Sequence, residues 1–389
     1  MVKMYFTKLK NFIVYLITRV VVFNITIKRV QIKQNTLLLI RLDSIGDYIL
    51  VRNFFQSLKQ SKRFRSYKIT LCGNVLWKEL AETFDSNTID EFIWIDRKKF
   101  YSNILYKYKV LKQIHSKGFE VCIDTTFSRE ILYGDTIVKS SCAKEKIGSR
   151  GAPDSYVVWK RKLFSNNFYT ELIEVFAENL FEFKRNKYFF EQIINEKINL
   201  QKPFLDTSGI KLDSLPSQKY IVIFPGANDE KRIWSIGNFV EVAKYILENS
   251  SYLIVLCGSR KESELADTFD NNMNNSRIIN FTGKLTLVEL AKVIGSAEFL
   301  ISNETGAVHI AAAAGTKFLC ISNGNHLGRF NPYPEDIFKS GSYIYPESVI
   351  KELKKTGLTN RYRFNSNENI NSILPASVIN KLEGLLNIE

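Results

Sequence analysis

The sequence predicts an α/β fold with two doubly wound parallel sheets, and three observations carry that expectation. Short apolar runs at residues 37–40, 220–224 and 297–301, the last broken only by Glu298, have the length and character of strands buried on both faces, as parallel strands are. These runs lead into polar loops, several bearing glycine, and then into segments of helical spacing, the alternation that builds doubly wound sheets. Finally, 389 residues with 45% apolar content are too many for one ordinary core and enough for two.

The chain opens on a basic segment, residues 1–34, containing Lys3, Lys8, Lys10, Arg19, Lys28, Arg29 and Lys33; the first acid is Asp43. The apolar blocks 12–17 and 20–23 are separated by Thr18 and Arg19, and each is far shorter than the roughly 20 residues of a spanning helix, so no full span is expected. No Ala, Gly or Ser precedes Ser44, which argues against a cleaved secretory signal. A segment of this kind suits the surface of an anionic membrane, the alternative being an ordinary helix packed on the body with its cations in solvent. No nucleic-acid motif accompanies the charge of +14, so nucleic acid is not an expected partner.

A first domain is expected over residues 35–200. Strand 37–40 runs into Arg41-Leu42-Asp43-Ser44-Ile45-Gly46-Asp47, and 48–59 has helical spacing. Loops at the carboxyl ends of parallel strands are where ligands bind, which singles out Asp47. Ser44 and Asp47 also have the spacing of a capping box, in which the acid merely satisfies backbone donors. Strands at 68–72 and 91–95 and helices at 76–84 and 106–115 follow, then 119–124 and the polar loop 125–129 ending in Arg129.

Residues 201–217, with Pro203, Gly209 and Pro216 and no periodicity, read as a linker to a second domain at 218–345; a basic and helical tail covers 346–389, with a basic patch at 351–363. In the second domain, strand 220–224 enters a loop from Pro225, Gly226 and Ala227 through Lys231 and Arg232 to Trp234. Strand 252–257, strand 277–281, the turn Thr282-Gly283-Lys284-Leu285 and a helix from 287 come next. Strand 297–301 then meets Glu304, Thr305, Gly306 and His309, a turn and helix start able to receive an anion; the plainer reading is that Thr305 caps and Gly306 turns.

Several chemistries are disfavoured. There is no Gly-x-Gly-x-x-Gly or Walker loop, which weakens hydride transfer and ATP hydrolysis, and the three histidines are too scattered for a metal site. His115 reads as a solvated helix residue. Five widely spaced cysteines suggest neither disulfides nor a zinc knuckle and fit a reducing cytoplasm.

Taken together, Leu39 to Asp47, Pro225-Gly226-Ala227 with Lys231 to Trp234, Thr282 to Leu287, and Glu304 to Ala312 resemble, in order and spacing, the motifs of glycosyltransferase family 9, the lipopolysaccharide heptosyltransferases. The resemblance covers roughly residues 36 to 335. It implies a GT-B architecture, two Rossmann-like domains facing across a cleft, with the acceptor on the first and the nucleotide-sugar on the second. It also implies inverting transfer without an obligatory metal or other cofactor. The expected partners are a nucleotide-sugar such as ADP-heptose and a lipid-linked glycan such as lipopolysaccharide core, met at the cytoplasmic membrane face.

By the same resemblance Asp47 is the base, an ionised and weak one at a helix N-terminus. Arg232 binds the leaving diphosphate, with Lys231 the neighbouring candidate. Gly226, Thr305 and Gly306 belong to the donor site, Leu285 lies where the family contacts the base, and His309 supports the loop. Arg129 lies where an anionic acceptor could be gripped. Glu304 replaces the family's aspartate and is expected to meet the donor's sugar hydroxyls. The rival reading is a non-catalytic sugar-nucleotide or glycan-binding protein on the same fold.

Overall fold

The computed structural model describes residues 2–151, 158–175, 180–357, 360–362 and 364–386. The chain forms two units: Met1–Glu178 with Arg185–Asn199, and Asn179–Lys184 with Leu200–Glu389. Each holds a six-stranded sheet whose neighbours are all parallel.

In the first unit α1 (Val2–Thr26) leads to β1 (Thr36–Arg41), α2 (Ile45–Val51), α3 (Asn53–Gln60), β2 (Lys68–Asn74), α4 (Lys78–Phe84) and β3 (Glu91–Ile95). Then follow α5 (Arg97–Ser102), α6 (Ile104–Lys117), β4 (Val121–Asp124), α7 (Gly134–Ser141), β5 (Glu145–Ser149), α8 (Val158–Phe164), β6 (Glu171–Ile173) and α9 (Glu182–Ile194), which the two units share. The strand order is β3-β2-β1-β4-β5-β6. The chain winds outward from β1 and then returns to lay β4 on the other edge of β1, so the loops after β1 and β4 diverge and leave a crevice at their carboxyl ends. Flanked on both sides, Leu37, Leu38, Leu39 and Ile40 are fully buried, which is why the middle of this strand, between Thr36 and Arg41, is apolar at every position.

The second unit comprises β7 (Tyr220–Phe224), α10 (Ile236–Asn249), β8 (Leu253–Leu256), α11 (Ser263–Met273), β9 (Ile278–Asn280) and α12 (Leu287–Gly295). It continues through β10 (Phe299–Asn303), α13 (Gly306–Ala314), β11 (Lys317–Ile321), β12 (Gly341–Ile344), α14 (Glu347–Thr356) and α15 (Pro375–Glu383). Its order, β12-β11-β10-β7-β8-β9, repeats the first topology, with β7 and β10 in the roles of β1 and β4. The segment after residue 345 is built into this unit: Val378 and Leu382 of α15 are fully buried in the cluster that contains Phe239 and Ile246 of α10. Arg363, within the expected basic patch, lies outside the described residues.

Three expectations are corrected. The helix over 48–59 is two, α2 and α3, meeting at Arg52, whose guanidinium is buried against Asp85 at 2.6 Å. His115 is not solvated: its ring nitrogens lie 3.1 Å from the Ser140 carbonyl and 2.9 Å from that of Lys28. The two apolar blocks of the basic segment fall, thirdly, within one continuous helix rather than standing as separate short runs. The Thr18 hydroxyl turns back to donate to the Val14 carbonyl at 2.7 Å, and Arg19 lies over the rings of Tyr15 and Phe168, so neither interrupts the helix. Leu9–Thr26 is consequently long and apolar enough to cross a membrane by length and composition, with mean hydropathy 1.4, although 22% of it is buried against the protein.

Candidate functional site

In the first unit the loop after β1 is built from Arg41. Its side chain is fully buried; Nε donates to Asp43 at 2.7 Å, Nη1 to the Thr125 carbonyl at 2.8 Å, and Nη2 lies 3.6 Å from Asp47 Oδ1. One guanidinium therefore ties the loops after β1 and β4 together across the crevice and fixes Asp47. Asp47 Oδ2 also accepts from the Ser44 N–H at 3.2 Å, so the capping reading holds in the geometry. That contact does not exhaust the carboxylate, which remains 15% exposed. Asp43 is occupied by Arg41, while its carbonyl receives the Trp77 indole N–H at 3.1 Å.

Arg129 is not where an acceptor could be gripped. Its side chain has no exposure, pairing with Asp135 at 3.1 Å and donating to Asn166 Oδ1 at 2.6 Å beneath the Tyr169 ring. The Tyr169 hydroxyl donates to Asp135 at 2.6 Å, and its oxygen lies 3.2 Å from Asp124 Oδ2. Asp124 ends β4, and burial, reinforced by the neighbouring Asp135 charge, raises its carboxyl to about 6. Arg97, the first residue of α5, lines a recess with Asp124, donating to the Leu42 carbonyl at 3.0 Å and to Glu130 at 2.7 Å.

In the second unit the loop from Pro225 to Trp234 is held by an asparagine at the end of β10. Asn303 donates through Nδ2 to the Pro225 carbonyl at 2.5 Å and accepts the Trp234 N–H at 3.2 Å, so one amide clamps both ends of the loop. Trp234 is fully buried and donates its indole N–H to the Ile373 carbonyl at 2.9 Å. Asp229 caps the short turn that follows, accepting from Lys231 N at 3.1 Å. Successive side chains of that turn diverge. Lys231 Nζ donates to Asn367 at 2.9 Å, whereas Arg232 Nη1 lies 3.5 Å from the Glu304 carbonyl and 4.0 Å from its carboxylate.

Arg232 therefore lies at the start of α13, where unpaired helix N–H groups and the dipole favour an anion. The Thr305 hydroxyl is spent as the cap, accepting from Ala307 N at 3.2 Å, which leaves its backbone and that of Gly306 for any ligand. Glu304 points inward: Ser322 donates to its Oε2 at 2.7 Å, and burial raises the carboxyl to about 7 against the opposing effects of that hydrogen bond and Arg232. His309, on α13 itself, is buried, paired with the Tyr333 hydroxyl at 2.9 Å and held down to about 4 by burial.

The other loops of the second unit complete the rim. The Glu262 carboxylate packs directly on Gly226, where a Cβ would displace it. The turn holding Leu285 is tied to the loop after β8 by Gly283 N donating to the Gly258 carbonyl at 2.9 Å, and Leu285 is half-buried. Sequence reasoning missed Arg41 as an organiser, Asn303 and Ser322, and gave Glu262 no role. Only their positions, at or just past strand carboxyl ends, could have pointed to them.

The model of glycosyltransferase family 9 (heptosyltransferase) matches residues 149–358. A curated relative, lipopolysaccharide core heptosyltransferase OpsX of Haemophilus influenzae, is 25% identical over 141 residues, which are 36% of this chain and 40% of that protein. The chain thus spans well under half the length of this relative. Among solved structures, a family 9 glycosyl transferase of Veillonella parvula has a TM-score of 0.68 at 18% identity, covering 91% of this chain and 97% of that one. The E. coli heptosyltransferase WaaC, solved with ADP-2-deoxy-2-fluoro heptose, has a TM-score of 0.67 at 14% identity, covering 90% and 100%. These likenesses show the fold, that of GT-B enzymes with two Rossmann-like units. Since the family model spans more than half of the residues, the chain belongs to glycosyltransferase family 9, the heptosyltransferases.

Proposed function

We propose that the chain is an inverting glycosyltransferase that moves a heptose or related sugar from a nucleotide-sugar such as ADP-heptose to lipopolysaccharide core or another lipid-linked glycan, at the cytoplasmic face of the membrane. The observation that carries this reading is the pairing of Arg232 with the α13 N-terminus, 3.5 Å from the Glu304 carbonyl, at the topological switch point of the second sheet. A guanidinium and free helix N–H groups together can hold a departing diphosphate.

In this mechanism an acceptor hydroxyl attacks the anomeric carbon from the face opposite the nucleoside diphosphate. The C–O bond to the diphosphate breaks as the new glycosidic bond forms, and the hydroxyl proton passes to Asp47. An ionised carboxylate is a weak base, suited to late transfer, when the attacking oxygen has become acidic. Arg232 and the α13 N–H groups stabilise charge gathering on the diphosphate. No metal is required, because the guanidinium supplies the neutralising charge. Glu304, directed at Ser322, shapes the sugar side of the site.

Residues 1–34 keep the enzyme at the anionic membrane that carries its acceptor. Nucleotide-sugars screened by thermal shift identify the donor, and transfer to a lipopolysaccharide-core acceptor is followed by NMR of the anomeric centre. Inversion of configuration is expected. Stabilisation by a donor with no transfer to any core acceptor would favour the binding-protein reading, and the lack of a response to every nucleotide-sugar would refute both.

A further inference from the structure

Helix α1 has two opposite apolar faces. At about 100° per residue, Leu9, Phe12, Ile13, Leu16, Val20 and Phe23 share one side, and all are exposed. Thr18, Val21, Val22 and Ile25 lie on the other and are buried. This second side is fixed in place: Lys107 Nζ of α6 donates to the Thr18 hydroxyl at 2.7 Å, and Gly118 and His115 grip the segment after the helix, with Lys33 N donating to the Gly118 carbonyl at 2.8 Å.

The exposed stripe is not alone. On one flank the ring of Tyr15 meets Phe164 of α8 at 5.4 Å, beside Trp159, which is 59% exposed, and Leu163, 64% exposed. On the other, Asn11 meets the Tyr101 hydroxyl of α5, adjoining Ile104 and Leu105, the latter 70% exposed. None of α1, α5, α6 and α8 contains an Asp or Glu, while Lys98, Lys99, Lys109, Lys112, Lys160 and Lys162 are exposed among them.

We propose that α1, the start of α6 and α8 form one docking face for an anionic lipid surface, with α1 lying in the plane of the bilayer and its inner side still packed on the protein. This rests on the membrane association proposed above and extends it beyond residues 1–34; it is independent of the transfer chemistry. Exposed apolar side chains ringed by cations suit the headgroup boundary. A second copy fits poorly, because a self-complementary contact would oppose two acid-free faces. A spanning α1 would strip Thr18, Val21, Val22 and Ile25 from their partners.

The test uses the full chain and vesicles of phosphatidylethanolamine with phosphatidylglycerol. Wild type should bind, with a blue shift of Trp159 emission. The triple variant Leu105→Ser, Trp159→Ser, Leu163→Ser, which changes only exposed positions, should keep its thermal midpoint and bind at least about tenfold more weakly. Equal binding by the triple variant would overturn the composite face and leave the N-terminal anchor standing. If wild type ignores these vesicles, both fall. A dimer in sedimentation velocity that the triple variant disperses, or vesicle-bound protein that resists alkaline extraction, would overturn the proposal in favour of a second copy or a spanning helix respectively.

Discussion

Arg41 Nη2 lies 3.6 Å from Asp47 Oδ1, and the same guanidinium holds Asp43 at 2.7 Å. Asp47 thus has two structural duties, as a partner of Arg41 and as the acceptor for Ser44 N. Asparagine is the substitution that separates these duties from catalysis, since its carbonyl oxygen can still accept the Ser44 N–H while Arg41 keeps Asp43 as its ionic partner. Asp47→Asn should retain its thermal midpoint and its donor-induced shift while transfer falls by about two to four orders of magnitude, the usual worth of a general base. Transfer at the wild-type rate would remove Asp47 from the mechanism.

Arg232 and Lys231 are neighbours in sequence with different partners, Glu304 and Asn367 respectively. Arg232→Ala should lower kcat by roughly 100- to 1000-fold, the range found when one transition-state donor is removed. Lys231→Ala should stay within about threefold, because an exposed side chain bonded to an asparagine contributes little. A steady-state comparison of the two variants decides between them, and equal losses would mean that both cations reach the diphosphate.

What could be read from the sequence follows from how local each signal was. The central strands β1, β4, β7 and β10 were legible because a strand flanked on both sides has an apolar middle, as β1 does at residues 37–40, with polar residues only at its ends. Of the four edge strands, β3 and β9 were legible through the short apolar runs in 91–95 and 277–281, whereas Glu171–Ile173 of β6 and Gly341–Ile344 of β12 offer no comparable run, and β5 beside β6 has only Ile147. Loop positions were legible through motif order, but the direction of each side chain was not. Arg129 turns to Asp135 six residues away, His309 to Tyr333 across 24 residues, and Lys231 to Asn367 across 136. A partner that distant exists only after folding, so exposed and buried arginines look alike in the sequence.

The burial of Arg129 makes a prediction about stability rather than substrate. Arg129→Ala would leave Asp135 without its cation in a fully buried setting, at a cost of about 3–5 kcal/mol. Replacing both partners, Arg129→Met with Asp135→Asn, should recover much of the loss in chemical denaturation. An alanine variant of normal stability with a raised acceptor KM would restore the acceptor role.

Glu304 makes stability depend on pH. Its carboxyl, raised by burial to about 7 from an ordinary 4.5, holds its proton more tightly in the folded state. The resulting stabilisation is full below about 4.5 and is lost as the pH rises through about 7; it amounts at most to the order of 3 kcal/mol. Glu304→Gln cannot ionise, so the wild type should lose stability relative to it between those limits. Donor affinity should follow the same course, because an ionised Glu304 repels the diphosphate beside Arg232. Parallel pH profiles of wild type and variant, in thermal midpoint and in donor binding, would contradict this.

Deleting residues 1–34 is a poor test of the N-terminal anchor, because α1 is part of the first core. The deletion removes Val21, Val22 and Ile25, each buried and each contributing roughly 1.5–3 kcal/mol, and it uncovers Lys107. Truncated protein should therefore unfold or aggregate before it reports on lipid. Charge reversal at exposed positions avoids this. Lys10→Glu, Lys28→Glu and Arg29→Glu together should leave the thermal midpoint nearly unchanged, since none of the three side chains is buried. Each cation near an anionic surface contributes about 1 kcal/mol, and reversal removes that attraction and adds repulsion, so vesicle binding should fall by at least about a hundredfold. Wild-type binding should itself weaken in high salt as the surface potential is screened. Binding that survives both salt and reversal would mean that the apolar side chains of α1 hold the protein without help from its charge.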